Sequence, residues 1–114
     1  MHILLVDDDN EVRKTLGHVL ERAGHQVDTA VDGVEGVSKF RNGHFDAVVS
    51  DYQMPRRNGL LMLADILMLA PGTVAVLMSG DPPERRLIEV ATPAHASVHV
   101  LRKPFGTAEL LALL

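Results

Sequence analysis

Residues 2–9 have the sequence HILLVDDD, in which a short apolar run ends at three consecutive acids. A continuous apolar run of this length is typical of a strand that is buried on both faces of a parallel sheet. Four further short runs rich in apolar or β-branched residues follow, and segments with apolar residues at helical spacing separate them. This alternation predicts right-handed βαβ units and an α/β fold, in which helices cover both faces of one parallel sheet.

The predicted elements fill the chain without a linker, repeat or low-complexity segment. The predicted strands are His2–Val6, Gln26–Ala30, Ala47–Ser50, Thr73–Met78 and Ser97–Leu101. The predicted helices run from the N-cap Asn10 to Gly24, over Val34–Arg41 and Leu60–Ala70, from Asp81 to about Ala91 with Pro82 and Pro83 in the first turn, and from Thr107 onward. We therefore expect one domain over residues 1–114, with a truncated last helix because Leu114 lies inside an apolar helical segment.

Composition excludes several classes of protein. Hydrophobic residues make up 46% of the chain, which is typical of a globular domain, and the formal net charge is −4. Because no basic stripe is visible, we expect no direct binding to nucleic acid. No apolar run approaches the ~20 residues that span a bilayer, and no signal peptide is recognisable, so we expect no membrane association. The absence of cysteine fits a cytoplasmic protein.

Polar side chains follow four of the five predicted strands, at the point where each strand ends. They are Asp7, Asp8 and Asp9 after the first strand, Asp51 after the third, Ser79 after the fourth and Lys103 after the fifth. In a doubly wound sheet, ligands bind beyond the carboxyl ends of the strands. Clustered carboxylates repel one another unless a cation neutralises them. Because all candidate ligands are oxygens, the sequence predicts Mg²⁺ or Mn²⁺ rather than zinc.

The same residues resemble the signature of response-regulator receiver domains. The matching segments are Ile3-Leu4-Leu5-Val6-Asp7-Asp8-Asp9, Val49-Ser50-Asp51-Tyr52-Gln53-Met54-Pro55 with Asn58-Gly59, Leu77-Met78-Ser79-Gly80, and Lys103-Pro104-Phe105. The resemblance implies a flavodoxin-like (βα)₅ fold, a doubly wound five-stranded parallel sheet in a three-layer α/β/α domain. It also implies that Asp51 accepts a phosphoryl group from a phosphohistidine of a partner kinase.

The resemblance further implies roles for the neighbouring residues. Asp8, Asp51 and the main-chain carbonyl of Gln53 would bind the metal directly, and Asp7 would bind it through a water molecule. Lys103, Ser79 and Gly80 would contact the phosphoryl group, with movement of Ser79 starting the switch. The side chains of Gln53 and Asp81 would tune the phosphoryl lifetime. The bond before Pro104 is a candidate cis peptide.

The chain departs from the family pattern at two places. Many receivers have an aromatic residue three positions before the active lysine, where this chain has Val100, with His99 beside it as either a substitute or an ordinary surface residue. The third helix carries one charge; Met62, Leu63, Ile66 and Leu69 are predicted to share its core face, with Leu61, Ala64 and Met68 opposite. Leu61 and Met68 would then form either a contact surface or ordinary exposed positions.

Three functions compete for this sequence. We favour a signalling domain, not an enzyme, whose partners are a sensor histidine kinase or phosphotransfer protein, an output domain C-terminal to Leu114, and possible second copies in a homodimer. An unphosphorylated pseudo-receiver would serve only as a binding module. A flavin carrier would need a phosphate-binding loop where Asp7, Asp8 and Asp9 stand, and these acids would repel a phosphate. Asp9 is either part of the pocket or the cap of the first helix.

Overall fold

The computed structural model describes all residues from Met1 to Leu114, and it contains five strands and five helices. The strands are β1 (His2–Val6), β2 (Gln26–Ala30), β3 (Ala47–Asp51), β4 (Val74–Ser79) and β5 (Val98–Arg102). The helices are α1 (Asn10–Arg22), α2 (Gly33–Asn42), α3 (Gly59–Leu69), α4 (Arg85–Ala91) and α5 (Thr107–Leu111). None of the helices is both long enough and apolar enough to cross a membrane.

The five strands form one parallel sheet in the order β2-β1-β3-β4-β5. Two apolar clusters lie on its two faces: one joins α2, α3 and α4 to the sheet, and the other joins α1 and α5 to it. The strand order reverses direction between β1 and β3, and this position is where doubly wound folds bind their ligands. The fold is therefore the flavodoxin-like α/β/α architecture that the family resemblance implies.

The strand boundaries place two of the polar residues, Asp51 and Ser79, on the strands themselves rather than after them. The predicted bounds of β1 and β2 are confirmed. However, β3 ends at Asp51, β4 at Ser79 and β5 at Arg102, so each of these strands extends one residue beyond its predicted end. The hydrogen-bonded ladder consequently holds the backbone of Asp51 and Ser79 in place.

Two predicted helix starts are wrong. Helix α1 is capped by Asp9, whose side chain accepts hydrogen bonds from the backbone N–H groups of Glu11 and Val12, and Asn10 is its first residue. Asp9 is thereby identified as a cap. Helix α4 begins at Arg85, so the two prolines precede the helix instead of occupying its first turn. Each proline fixes its own φ and disfavours helical geometry in the residue before it, so the chain becomes helical only beyond them.

The outer face of α3 differs from the prediction at one position. Leu67 is fully buried, whereas Leu69 is 52% exposed, so the prediction that Leu69 belongs to the core face is wrong. Leu69 is the last residue of α3, and no further turn covers it. Leu61 and Met68 are 42% and 72% exposed, as expected for the outer face.

Candidate functional site

The carboxyl ends of the strands bring the predicted acids together. Val6 pairs with Ser50 across β1 and β3, so Asp7 and Asp51, each one residue further along, lie beside one another at that end of the sheet. One carboxylate oxygen from each of Asp7, Asp8 and Asp51 lies within 4.8 Å of the others. We call these three residues the acidic pocket. Asp9 is not a member, because its carboxylate faces the N-terminus of α1.

Asp7 is the buried member of the acidic pocket, with 1% of its surface exposed. Its Oδ1 accepts a hydrogen bond of 2.9 Å from the backbone N–H of Asp9, while its Oδ2 is buried without a partner. Burial raises the pKa of Asp7, and the charges of Asp51 and Asp8 raise it further; the Asp9 N–H and the Lys103 ammonium act in the opposite direction.

The raised pKa of Asp7 has a definite consequence for stability. Because the folded state holds this proton more tightly than the unfolded state, the unfolding free energy of the metal-free protein falls as pH rises from below the ordinary value of 3.8 through the raised pKa. Above the raised pKa, the ionised Asp7 carboxylate therefore destabilises the metal-free fold.

Asp51 is the member of the acidic pocket that is paired with a positively charged side chain. Its Oδ1 accepts a hydrogen bond of 3.1 Å from Lys103 Nζ, and the two side chains are 16% and 35% exposed. The backbone N–H of Lys103 donates to the carbonyl of Ser79 at 2.9 Å, which fixes the lysine at the end of β5. Gly59 packs directly on the Asp51 carbonyl, and a side chain at this position would collide with it. The Asp51 carboxylate is thus held beside a cation and remains partly accessible.

Ser79 is buried at the end of β4, and its Oγ accepts a hydrogen bond of 3.0 Å from the backbone N–H of Asp81. The residues Gly80, Asp81 and Gln53 are exposed. The peptide bond between Lys103 and Pro104 is cis. Val100 is half-buried and packs against the core cluster of the α3 face, whereas the adjacent His99 is exposed.

One residue of the site was not predicted from the sequence: Arg13, which binds the main chain of the acidic pocket. Its guanidinium donates to the main-chain carbonyl of Asp7 at 2.6 Å and to Oδ1 of Asn10 at 3.0 Å. Arg13 lies six residues after Asp7 and one turn into α1, so the acid-rich segment before a helical arginine was the available signal. The arginine limits the freedom of the Asp7 backbone.

The ligand atoms that the acidic pocket offers suit magnesium. All three side chains offer oxygen ligands, which hard divalent cations prefer. The unpartnered Oδ2 of Asp7 is a second indication, because a buried carboxylate oxygen without a hydrogen bond is costly unless a cation or water satisfies it. The residues present therefore fit a bound Mg²⁺.

Fold and pocket together define a class of protein: a doubly wound α/β domain with an acidic pocket and a paired lysine at the carboxyl edge of its sheet. Residues 3–114 match the sequence model of the family described as the response regulator receiver domain. The chain belongs to this family and is a signalling domain of two-component systems.

The relatives extend beyond the receiver domain. A protein-glutamate methylesterase/protein-glutamine glutaminase from Anaeromyxobacter dehalogenans is 39% identical over 90% of this chain and 29% of its own length. The response regulator MprA of Mycobacterium sp. (strain KMS) is 36% identical over 98% of this chain and 48% of its own length. The chain thus spans less than half the length of these relatives.

Solved structures share the whole fold. The chemotaxis protein CheY4 of Vibrio cholerae is 30% identical with a TM-score of 0.84, and the match covers 97% of this chain and 92% of that one. A CheY-like receiver domain protein from Methanospirillum hungatei is 27% identical with a TM-score of 0.86, covering 97% and 87%.

Proposed function

We propose that this chain is a phosphoacceptor switch in which Asp51 takes a phosphoryl group from the phosphohistidine of a sensor histidine kinase or phosphotransfer protein. The observation that carries the proposal is the placement of Asp51: its partly accessible carboxylate lies 3.1 Å from Lys103 and next to two further acids. This combination provides a nucleophile, a cation for the phosphoryl oxygens and a set of oxygen ligands in one pocket.

In the proposed reaction, a carboxylate oxygen of Asp51 forms a bond to phosphorus while the bond between phosphorus and the histidine nitrogen breaks. The imidazole leaves, and the product is an aspartyl phosphate. Lys103 supplies a compact positive charge to the transferring oxygens, for which an ammonium is well suited. Asp8, Asp51 and the main-chain carbonyl of Gln53 would hold Mg²⁺, and Asp7 would hold it through water. When bound, the ion neutralises charge on the carboxylate and the phosphoryl oxygens.

The switch itself is assigned to the segment after β4. In the proposal, the Ser79 hydroxyl releases the Asp81 N–H and donates to the phosphoryl group, and Gly80 gives this segment freedom to follow. Because Val100 has no ring to rotate, the signal passes through the loop after Ser79 and the short helix α4. Gln53 and Asp81, two residues beyond the acceptor and the hydroxyl, are proposed to tune the phosphoryl lifetime.

A binding test separates this function from an inert binding module. Beryllofluoride mimics a phosphoryl group on a carboxylate, so we expect a bound ¹⁹F resonance only when Mg²⁺ is also present. The control is the variant Lys103→Ala, which should weaken the bound state because one cation near the fluorides is lost. No binding by the unaltered chain at saturating Mg²⁺ would favour a pseudo-receiver. A flavin carrier would instead show visible absorbance.

The partners follow from the proposed role. A histidine kinase or phosphotransfer protein supplies the phosphoryl group, and an output domain or separate protein receives the signal, as the longer relatives suggest. The chemistry is confined to accepting and slowly losing a phosphoryl group. We propose a cytoplasmic location with no membrane or nucleic-acid contact.

The outer face of α3 is proposed as a contact between two copies of the chain. Leu61 and Met68 are exposed, and the one charge of this helix, Asp65, is paired with Arg57 at 2.8 Å, so no free charge on α3 opposes self-association. The double variant Leu61→Gln/Met68→Gln should shift sedimentation velocity towards the monomer by weakening association, while phosphorylation remains normal. Glu84→Gln, on the loop before α4, is the control. A monomeric unaltered chain, with and without beryllofluoride, would contradict the proposal.

A further inference from the structure

Asp7 and Asp32 are the two carboxylates that the fold buries, and Asp32 lies outside the acidic pocket. Asp32 precedes α2, and its Oδ1 caps that helix by accepting a hydrogen bond of 2.8 Å from the backbone N–H of Glu35. Its Oδ2 lies 3.2 Å from Nε of Arg56. A buried carboxylate keeps its charge at low cost only when it is paired and hydrogen-bonded. The Glu35 N–H supplies the hydrogen bond to Asp32, and Arg56, whose side chain is 61% exposed, supplies the paired charge.

Arg56 belongs to the loop that follows the acceptor, residues 52–58, which we call the acceptor loop. Its φ of 68° makes it the one residue other than glycine with a positive φ. The neighbouring backbone N–H of Arg57 donates to the carbonyl of Pro55 at 2.8 Å, which closes a tight turn around Arg56. A left-handed conformation is unfavourable for a residue with a Cβ atom, and it persists where surrounding contacts hold it.

A second contact joins the acceptor loop to the start of α2. Gly33 packs on the Arg57 carbonyl so closely that a Cβ atom at position 33 would collide with it. The base of the loop is closed separately, because the backbone N–H of Gly59 donates to the Tyr52 carbonyl at 2.8 Å. The tip of the acceptor loop is therefore held by α2, and its base is held by the loop's own backbone.

We propose that the Asp32–Arg56 pair is a latch that positions the acceptor loop, and with it the Gln53 carbonyl, for magnesium binding. This inference rests on the proposed function, in which that carbonyl is a metal ligand. Arg56 is a positioning residue, since it acts on the metal site only through the backbone between positions 53 and 56. The left-handed turn at Arg56 is the local conformation that the latch maintains.

The latch and simple electrostatics predict opposite results for the loss of Arg56. Removing a positive charge from the acceptor loop can only strengthen the attraction of the acidic pocket for a divalent cation, so charge alone predicts unchanged or tighter Mg²⁺ binding. Loss of the latch frees the loop and must weaken Mg²⁺ binding. The Gln53 carbonyl would no longer be preorganised, so it would have to be ordered when the ion binds. The sign of the change therefore distinguishes the two effects.

The experiment is calorimetric titration of the metal-free full chain with MgCl₂, at a temperature where every variant is folded by circular dichroism. Arg56→Asn removes the guanidinium, and asparagine tolerates the left-handed conformation. Asp32→Asn removes the charge, and asparagine still caps α2. The matched control is Arg57→Gln, which makes the same change of charge in the same loop but breaks a pair with Asp65, whose carboxylate is 39% exposed where that of Asp32 is 7% exposed.

We expect the Kd for Mg²⁺ to rise by about tenfold in Arg56→Asn and in Asp32→Asn, the lower end of what supporting residues contribute to metal affinity. The double variant should bind no more weakly than either single variant, because both changes break the same contact. Arg57→Gln should leave the Kd unchanged or slightly lower. An unchanged or lower Kd in Arg56→Asn would overturn the latch while the proposed function stands. Absence of Mg²⁺ binding by the unaltered chain would overturn both.

Discussion

Asp51→Asn should abolish phosphorylation of the chain by acetyl phosphate and Mg²⁺, whereas the unaltered protein gains one phosphoryl group per molecule. The amide lacks the anionic oxygen that attacks phosphorus, so the loss is expected to be complete within detection. The fold should persist, because asparagine has nearly the same volume and the backbone of residue 51 can pair with β4 in both proteins. Intact-mass spectrometry reads the result directly.

A control for the Asp51 experiment must remove an acid without touching the pocket. Asp28 lies on β2, its side chain is 53% exposed, and its carboxylate contacts His2 rather than the pocket. Asp28→Asn should accept one phosphoryl group as the unaltered chain does. Full labelling of Asp51→Asn would mean that another side chain is the acceptor, and peptide mapping of the labelled protein would then locate it.

Mg²⁺ should stabilise the unaltered protein, and Asp8→Ala should remove most of that stabilisation. A ligand that binds only the native state contributes about 2.7 kcal/mol at one hundred times its Kd. For a domain of this size that corresponds to a rise of roughly 10 °C in the Tm. Asp8 is exposed and reaches the pocket with one carboxylate oxygen, so alanine removes a ligand without opening a cavity. Thermal unfolding with and without Mg²⁺ measures the difference.

Two matched variants sharpen the magnesium experiment. Asp9→Asn retains a helix cap and lies outside the acidic pocket, so its Tm should rise with Mg²⁺ as in the unaltered chain. Asp7→Asn should raise the stability of the metal-free protein at neutral pH and remove the loss of stability that accompanies ionisation of Asp7 as pH increases. A normal magnesium response in Asp8→Ala would show that Asp8 is not a ligand.

The parts of the fold that depend on local pattern could be predicted from the sequence. The bounds of β1 and β2 follow from short runs between turn residues, and the order of elements follows from their alternation. The start of α4 could not be predicted, because proline is favoured at the first position of a helix, whereas here both prolines precede it. Likewise, Asp9 and Asn10 are both good caps, and only the backbone path selects Asp9.

The candidate site was predictable only as far as strand ends fix side chains. Asp7, Asp8 and Asp51 converge because parallel strands carry them to one edge. The contact between Asp32 and Arg56 was not predictable, since it joins residues 24 positions apart and depends on a positive φ at Arg56. Arginine is not a residue type that indicates such a turn. Arg13 was missed because its main partner is a backbone carbonyl, so the sequence offered only the acid-rich segment before the arginine as a signal.

Strand β3, which carries the proposed acceptor Asp51, lies in the middle of the sheet, hydrogen-bonded to β1 on one side and to β4 on the other. Strands in this position open only when a domain unfolds globally, whereas loops and short helices open at a much lower free energy. The proposed phosphorylation of Asp51 would therefore occur on the part of the molecule with the least freedom to move. In a receiver of this design, the proposed phosphoryl group would sit on a rigid central strand. The conformational change would then have to occur in the loops and short helices at the ends of the strands.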